Sequence, residues 1–420
     1  FVKSKSLTIL CCILLTGCSK SPETNPEILW DSYGVPHIYA DNYNDLFYAY
    51  GWSQMRNHGN LLLKLYGQAR GQGAEYFGEK HLKSDQWVHT HNITQRSLDW
   101  WEKQDPDIRK MMTAFTDGIN DYANENPDEI DDLNQSILPA RPEDCFSHFQ
   151  RVILFHFVTN PGIATFNPAS IIKDRGSNSW AIGPSRSESG NAMLIANPHL
   201  PWFDMFTWFE AHTISHDLNA YGAGLVGMPF LGIAFNDYMG WSHTNNVHDG
   251  QDLYELTLID DGYQWGDGIQ HFDERTVEIK VRNDDGNMTA SEFLIRESVH
   301  GPVVSEKDGK AYALRVVGLD QPHVFRQYFD MARAKTLKSF QDAIRPLQNP
   351  YFTIMYADKD GHIMHVFGGR TPIRPAGDWN WLDVVPGVSP ETIWNETHSY
   401  DELPKSIDPE SGWFQNANDP

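Results

Sequence analysis

The sequence predicts an α+β fold, with a helical first third followed by a strand-rich remainder. Three observations carry this. Between Asp107 and Tyr122, the apolar residues Ile108, Met111, Met112, Phe115, Ile119 and Tyr122 recur at helical spacing. Val277, Ile279 and Val281 alternate with charged neighbours and lead into Asp285-Gly286, a hairpin signature. Between the two regimes, Asn160 to Gly176 breaks both periods with Pro161, Pro168 and two glycines.

In chain order, Lys3 and Lys5 precede the apolar run Leu7 to Leu15. Nine residues are too short to span a bilayer as a helix but suit the core of a signal peptide. The run closes on Leu15-Thr16-Gly17-Cys18, which resembles a bacterial lipobox. The expectation is a leader over residues 1–17 and lipidation of the Cys18 thiol. The body would then be periplasmic and lipid-anchored, at the outer membrane, because no Asp follows Cys18. Ser19 to Asn25 reads as a polar tether, Ile28 to Ala40 as strand and turn, and Leu46 to Arg70 as helix. Glu143 to Thr159 reads as a further helix. The helix-rich region therefore covers residues 18–159 and the spacer residues 160–176. After the hairpin at Asp285-Gly286, Tyr351 to Tyr356 and His362 to Phe367 flank Asp358-Lys359-Asp360-Gly361, a second hairpin signal. No later segment reads as membrane-spanning.

Composition excludes several function classes. Lys plus Arg number 33 against 56 Asp plus Glu, a formal charge of −23, so neither nucleic acid nor an anionic lipid surface is an expected ligand. Four cysteines, Cys11, Cys12, Cys18 and Cys145, are too few for a disulfide scaffold or a four-thiolate zinc site in the mature chain. His243 and His248 match no zinc spacing and read as structural. Aromatic residues reach 13%, including 14 Trp, a surplus over packing needs that suits a ligand cleft.

Chemistry concentrates at Arg175-Gly176-Ser177-Asn178-Ser179-Trp180, on the boundary between the two regimes. Alone, Gly-Ser-Asn is a common turn. Its companions are Asp31-Ser-Tyr-Gly-Val-Pro-His37-Ile-Tyr-Ala40, Arg70-Gly71, Ala74-Glu75-Tyr76-Phe77-Gly78, and Asn197-Pro198-His199-Leu200, whose histidine lies 22 residues after Ser177. Further on come Gly240-Trp241-Ser-His-Thr-Asn245-Asn246, His300-Gly301-Pro302-Val303 and Gln415-Asn416-Ala417-Asn418-Asp419-Pro420. In this order the strings resemble the penicillin acylase (penicillin amidase) family of N-terminal nucleophile hydrolases, from about Ile28 to the last residue.

The resemblance implies a four-layer αββα sandwich and self-cleavage at Gly176-Ser177. Residues 177–420 would be the first part of a β chain, C-terminally truncated, since family β chains continue well beyond the catalytic asparagine. The opening Phe1 likewise fits a fragment of a longer product. By the same resemblance, Ser177 is the nucleophile. The backbone N–H of Asn245 and the side chain of Asn418 stabilise the oxyanion. His199 orients the Ser177 amine, as in the His-containing branch resembling acyl-homoserine lactone and glutaryl-cephalosporin acylases.

Physical chemistry supports that division of labour. A serine hydroxyl is a weak nucleophile at neutral pH. Cleavage before Ser177 frees an α-amino group with an ordinary pKa of about 7.7–8.0, close to working pH. One residue then supplies both nucleophile and base, and no Ser-His-Asp triad is required. The implied substrate is an acyl amide: an N-acyl homoserine lactone first, or a β-lactam side-chain amide or a related acyl amide such as an acylated lipopeptide. No organic cofactor is implied. Asp249 and Asp252 in His248-Asp249-Gly250-Gln251-Asp252 offer hard oxygen ligands, and some relatives bind calcium at a matching stretch, so one structural Ca2+ is expected there.

Two departures stand out. Relatives often show Asp-Arg where this chain has Asn57-His58, which predicts a neutral contact near the pocket in place of an ion pair. They usually carry a small apolar residue where this chain has Asn245. A backbone donor tolerates that change, but the pocket wall becomes more polar. The competing reading from another class is a periplasmic solute-binding lipoprotein, which would share the lipobox, acidity and aromatic surplus. It predicts repeated βαβ units, which are not evident, and leaves Gly176-Ser177, His199 and Asn418 without a use. A degenerate acylase that folds without activity is a third reading, opposed by the retention of Ser177, His199, the Asn245 backbone donor and Asn418.

Overall fold

In this computed structural model, the described residues are 26–159 and 176–418. The leader, Cys18, the tether and nearly all of the 160–176 spacer lie outside them. Within the described residues the expected order of helices then strands is present, and no helix is long and apolar enough to cross a membrane.

The helix Tyr43–Ala69 begins where Asn42 accepts the backbone N–H of Asp45, an N-cap that satisfies one of the orphan donors of the first turn. Against it lies the helix Pro106–Glu125, whose predicted apolar face is buried throughout, Phe115 and Ile119 completely. The two approach closely because each carries a glycine at the crossing. A Cβ on Gly51 would overlap the carbonyl of Phe115, and one on Gly118 the carbonyl of Tyr48. Arg70 then ties the end of the first helix to the helix Pro142–Phe149. Its Nε and Nη2 donate to the two Asp144 carboxylate oxygens at 2.7 and 2.6 Å, with both side chains nearly buried. Cys145, on that same helix, is buried with its sulfur 3.3 Å from the Tyr66 hydroxyl.

The segment expected as one helix over Glu143 to Thr159 is continuous but changes winding. From Gln150 to Val158 it is a π-helix, with Phe155 out of helical conformation. Phe149, Ile153 and Phe157, four residues apart in turn, line a common cavity.

Three sheets follow. A nine-stranded sheet runs from Glu27–Trp30 at one edge to Lys405–Ile407 at the other and is antiparallel except where Pro36–Tyr39 pairs with Trp208–Ser215. An eight-stranded sheet contains the first predicted hairpin, Asp273–Arg282 with Met288–Ser298, in which Ile279 and Val281 are buried as their alternation requires. The second predicted hairpin, Thr353–Asp358 with Ile363–Val366, belongs to the nine-stranded sheet. A three-stranded sheet is ordered Trp413–Asn416, Gly176–Ile182, Met193–His199.

The main core joins the helices to the nine-stranded sheet, through Leu62, Phe115, Phe146 and Trp241 among others. A smaller core of Ala181, Met355, Ala357 and Ile363 joins the three-stranded sheet to the nine-stranded one. Helices, the large sheet and the small sheet therefore stack in that order. Two helices inside the strand-rich part, Val324–Arg333 and Leu337–Ile344, were not expected from the sequence. The first buries Val324, Phe325, Tyr328, Phe329 and Met331, and so brings Tyr328 to the cavity wall.

Candidate active site

Ser177 is the second residue of the strand Gly176–Ile182. Along this strand burial alternates with period two, so Ser177, Ser179 and Ala181 point toward the nine-stranded sheet. The antiparallel partner places His199 directly opposite Gly176, and Pro198 opposite Ser177. On the other side Asn416 pairs with Ser179. Two residues on, Asn418 adopts the left-handed conformation at φ +72, which asparagine tolerates better than most residues. That turn carries its side chain back to the nucleophile, where Asn418 Oδ1 accepts the Ser177 N–H at 2.8 Å.

The chain is continuous across Gly176–Ser177, and the Ser177 hydroxyl donates to the Gly176 carbonyl oxygen at 2.6 Å. A Cβ placed on Gly176 would stand 3.1 Å from Asn418 Nδ2 and 3.8 Å from His199 Nδ1. Both groups therefore crowd the peptide bond that would be cut. His199 is itself solvent-exposed. The Asn418 turn is braced in turn, because Asn416 Oδ1 accepts the Asn418 N–H at 3.0 Å and the Thr244 hydroxyl at 2.7 Å.

Ser177 is 5% exposed and opens onto a cavity of about 60 Å³. Asn245 lies on the same cavity, just beyond the strand Met239–Thr244. The rest of the lining is mainly apolar and aromatic, including Phe149, Ile153, Phe157, Trp208, Phe230 and Phe352. Phe230 and Tyr328 stack face to face with centroids 4.1 Å apart. They also line a second apolar cavity of about 40 Å³, so this pair forms a partition between the two. The polar exception is His243, buried on the cavity wall with Nε2 3.0 Å from the Tyr328 hydroxyl. Burial pushes its pKa down to about 4, so it is neutral at working pH.

The loop carrying Asn245 is held mainly by its neighbour. Asn246 donates to the carbonyls of Tyr351 and Gly368 at 3.1 and 2.7 Å and accepts the backbone N–H of His248 at 3.2 Å. Asn246 and Asn416, along with Thr244, support the site without having been singled out in the sequence. Both asparagines sit inside the quoted strings, and adjacency to Asn245 and Asn418 was the available signal.

The expected metal pair departs from expectation. Asp249 and Asp252 do come together, but around the guanidinium of Arg374. Nη2 is 2.9 Å from Asp249 Oδ2 and Nε is 3.0 Å from Asp252 Oδ2. Trp394 Nε1 also donates to Asp252 Oδ2 at 2.6 Å. Burial pushes the Asp252 carboxyl up to about 6, against the pull of Arg374. Calcium takes six to eight oxygens and would meet a fixed positive charge here. Among the described residues, no group of three or more His, Cys, Asp or Glu is arranged to hold a metal. The residues present do not fit a calcium ion. Nor does Asn57-His58 shape the pocket. Asn57 is exposed, and His58 sits at a kink of its helix with its ring toward Phe209, neither lining the Ser177 cavity.

The penicillin amidase family profile matches residues 25–420. The chain belongs to the penicillin amidase family. Acyl-homoserine lactone acylase PvdQ of Pseudomonas fluorescens strain Pf0-1 is 26% identical, over 94% of this chain and 53% of that protein. Acyl-homoserine lactone acylase QuiP of Pseudomonas aeruginosa is 24% identical, over 94% of this chain and 55% of that protein. Among solved structures, a thermostable penicillin G acylase from Alcaligenes faecalis aligns with a TM-score of 0.52 at 25% identity, covering 58% of this chain and 44% of that one. The chain spans about half the length of the curated relatives it matches.

Proposed function

We propose that this chain is part of a self-processing amidohydrolase that releases an acyl group from a linear amide, with Ser177 as nucleophile. The observation that carries the reading is the convergence on one peptide bond. The Ser177 hydroxyl lies against the Gly176 carbonyl, and Asn418 holds the Ser177 nitrogen beside an apolar cavity.

In maturation, Ser177 Oγ adds to the Gly176 carbonyl carbon, the C–N bond breaks with the proton passing to nitrogen, and water hydrolyses the resulting ester. The Ser177 amine so freed then takes the hydroxyl proton during turnover, with His199 orienting it. The Asn245 backbone N–H and Asn418 Nδ2 donate to the oxyanion, each such donor being worth about 2.7–4 kcal/mol. A mostly apolar, aromatic cavity beside the nucleophile suits an acyl chain. N-acyl homoserine lactones come first as substrates and β-lactam side-chain amides second, the former supported by what the PvdQ and QuiP relatives are named for. Helices, large sheet and small sheet form part of a four-layer αββα sandwich. Residues 18–159 give one mature chain, 160–176 a spacer, and Ser177 begins the other. The enzyme is lipid-anchored through Cys18 and works in the periplasm.

A denaturing gel of the full-length protein tests this. Two fragments are expected, the second beginning at Ser177 by N-terminal sequencing. Ser177→Ala should abolish both the cut and the release of amine from a panel of acyl amides. A single intact band that binds a small solute tightly would replace this reading with solute binding.

A further inference from the structure

The loop 245–250 leaves the strand Met239–Thr244, presents Asn245 to the cavity beside Ser177, and turns back into the strand Gln251–Ile259. Five oxygens at its base point at one place: Oδ2 of Asp249, both carboxylate oxygens of Asp252, and the main-chain carbonyls of Asp249 and Gln251. Arg374 meets all of them. Nε donates to Asp252 Oδ1 and Oδ2 at 3.2 and 3.0 Å. Nη2 lies 2.9 Å from Asp249 Oδ2 and donates to the Asp249 and Gln251 carbonyls at 3.0 and 3.3 Å. The guanidinium is mostly buried, with the Trp381 ring centroid 5.5 Å from its carbon.

Carboxylates combined with main-chain carbonyls form the donor set of a hard-cation site. Here the planar fork of an arginine satisfies that set, as a guanidinium does where two acceptors must be bridged at fixed angles. The Trp394 indole N–H also donates to Asp252 Oδ2, holding that carboxylate in place. We infer that Arg374 is a built-in cation that takes the place of a divalent ion, so that the loop bearing Asn245 is held without metal. Arg374 does not line the cavity beside Ser177 and is a positioning residue. It lies 125 residues along the chain from Asp249, so it also pins the segment around residue 374 to the loop at Asn245. The effect on turnover rests on the function proposed above, whereas cation dependence of stability does not.

The test uses the full-length protein. Wild type should show the same Tm, and the same extent of self-cleavage, in excess chelator and in millimolar calcium. Arg374→Ala should lower the Tm by about 5 °C or more. It should also expose a calcium site seen by direct titration, and calcium should raise its Tm and restore amine release. Arg374→Lys, a point charge that cannot bridge, should lose stability and gain no response to calcium. A wild-type Tm that falls in chelator or rises with calcium overturns the inference without any variant. So does an Arg374→Ala protein that binds no calcium or keeps the wild-type Tm. If Arg374→Ala fails to fold, the wild-type and Arg374→Lys arms still decide it. Loss of the hydrolase reading would appear as absent turnover in wild type, with the calcium and Tm results unaffected.

Discussion

Replacing Asn418 by Asp separates the two jobs its side chain performs. The oxygen that accepts the Ser177 N–H at 2.8 Å is kept, as are the side-chain volume and a residue type that tolerates φ +72. The amide Nδ2, which lies against Gly176, is lost and replaced by a carboxylate oxygen. One missing oxyanion donor costs about 2.7–4 kcal/mol, roughly a hundred- to a thousand-fold in kcat. A negative charge beside a developing oxyanion adds to that cost. Folding should be nearly unaffected, because the Ser177 bond and the Asn416 brace on the Asn418 backbone remain. The assay is twofold: the rate at which full-length precursor splits on a denaturing gel, and kcat of whatever mature enzyme forms, with Tm as the control for folding. The expected outcome is a fall of at least a hundred-fold in both rates with Tm within a few degrees of wild type. A variant within ten-fold of wild type in both would refute the role of Asn418 as an anion donor.

Gly176→Ala should slow the cut, since its Cβ would stand 3.1 Å from Asn418 Nδ2, while any enzyme that does mature should keep its kcat because residue 176 is then on the departing side. Equal losses in maturation and turnover would contradict that placement. Phe230→Ala removes half of the partition between the two apolar cavities, and should shift kcat/KM toward longer acyl chains while costing about 3 kcal/mol of stability. An unchanged chain-length profile would show that the partition does not set acyl length. Stability should also fall on acidification. His243, His248 and His300 are pushed down to about 4, His148 to about 3 and His91 well below its ordinary value, all by burial first. A depressed folded pKa means the unfolded chain binds protons first, so this stability is complete above pH 6.5 and is lost as the pH drops toward 4. Asp85 and Asp252, pushed up to about 6 by burial, act in the opposite sense below pH 6. The five histidines outnumber these two carboxyls, so the net effect is a loss of stability as the pH falls from 6.5 toward 5. Unfolding free energies that stay flat between pH 6.5 and 5 would rule this out.

The periodic features were legible because they are local. The face Ile108 to Tyr122, the alternation at Val277 to Val281 and both hairpin turns need only near neighbours in the chain, and each is present. Ser177 was visible through its string and its spacing to His199, and strand pairing does set His199 opposite Gly176. What could not be read lies in contacts between distant segments. Asp252 and Arg374 are 122 residues apart, so two loop carboxylates looked like a metal pair when the cation was already in the chain. The helix Val324–Arg333 lies within a region dominated by strand signals, yet it provides Tyr328. The switch to π winding after Phe149 has no periodic signature, since an apolar stretch such as Val152-Ile153-Leu154-Phe155 suits either helix.

The bond from Ser177 to Asn418 spans 241 residues. Asn418 reaches its place only through the strand Trp413–Asn416, which must first zip onto Gly176–Ile182. On the proposed chemistry, a nascent chain emerging from the ribosome carries its serine for most of that synthesis with no partner to arm it. Severing the backbone then becomes a proofreading event: only molecules that have closed this long circuit are licensed, and misassembled ones stay silent rather than becoming stray hydrolases.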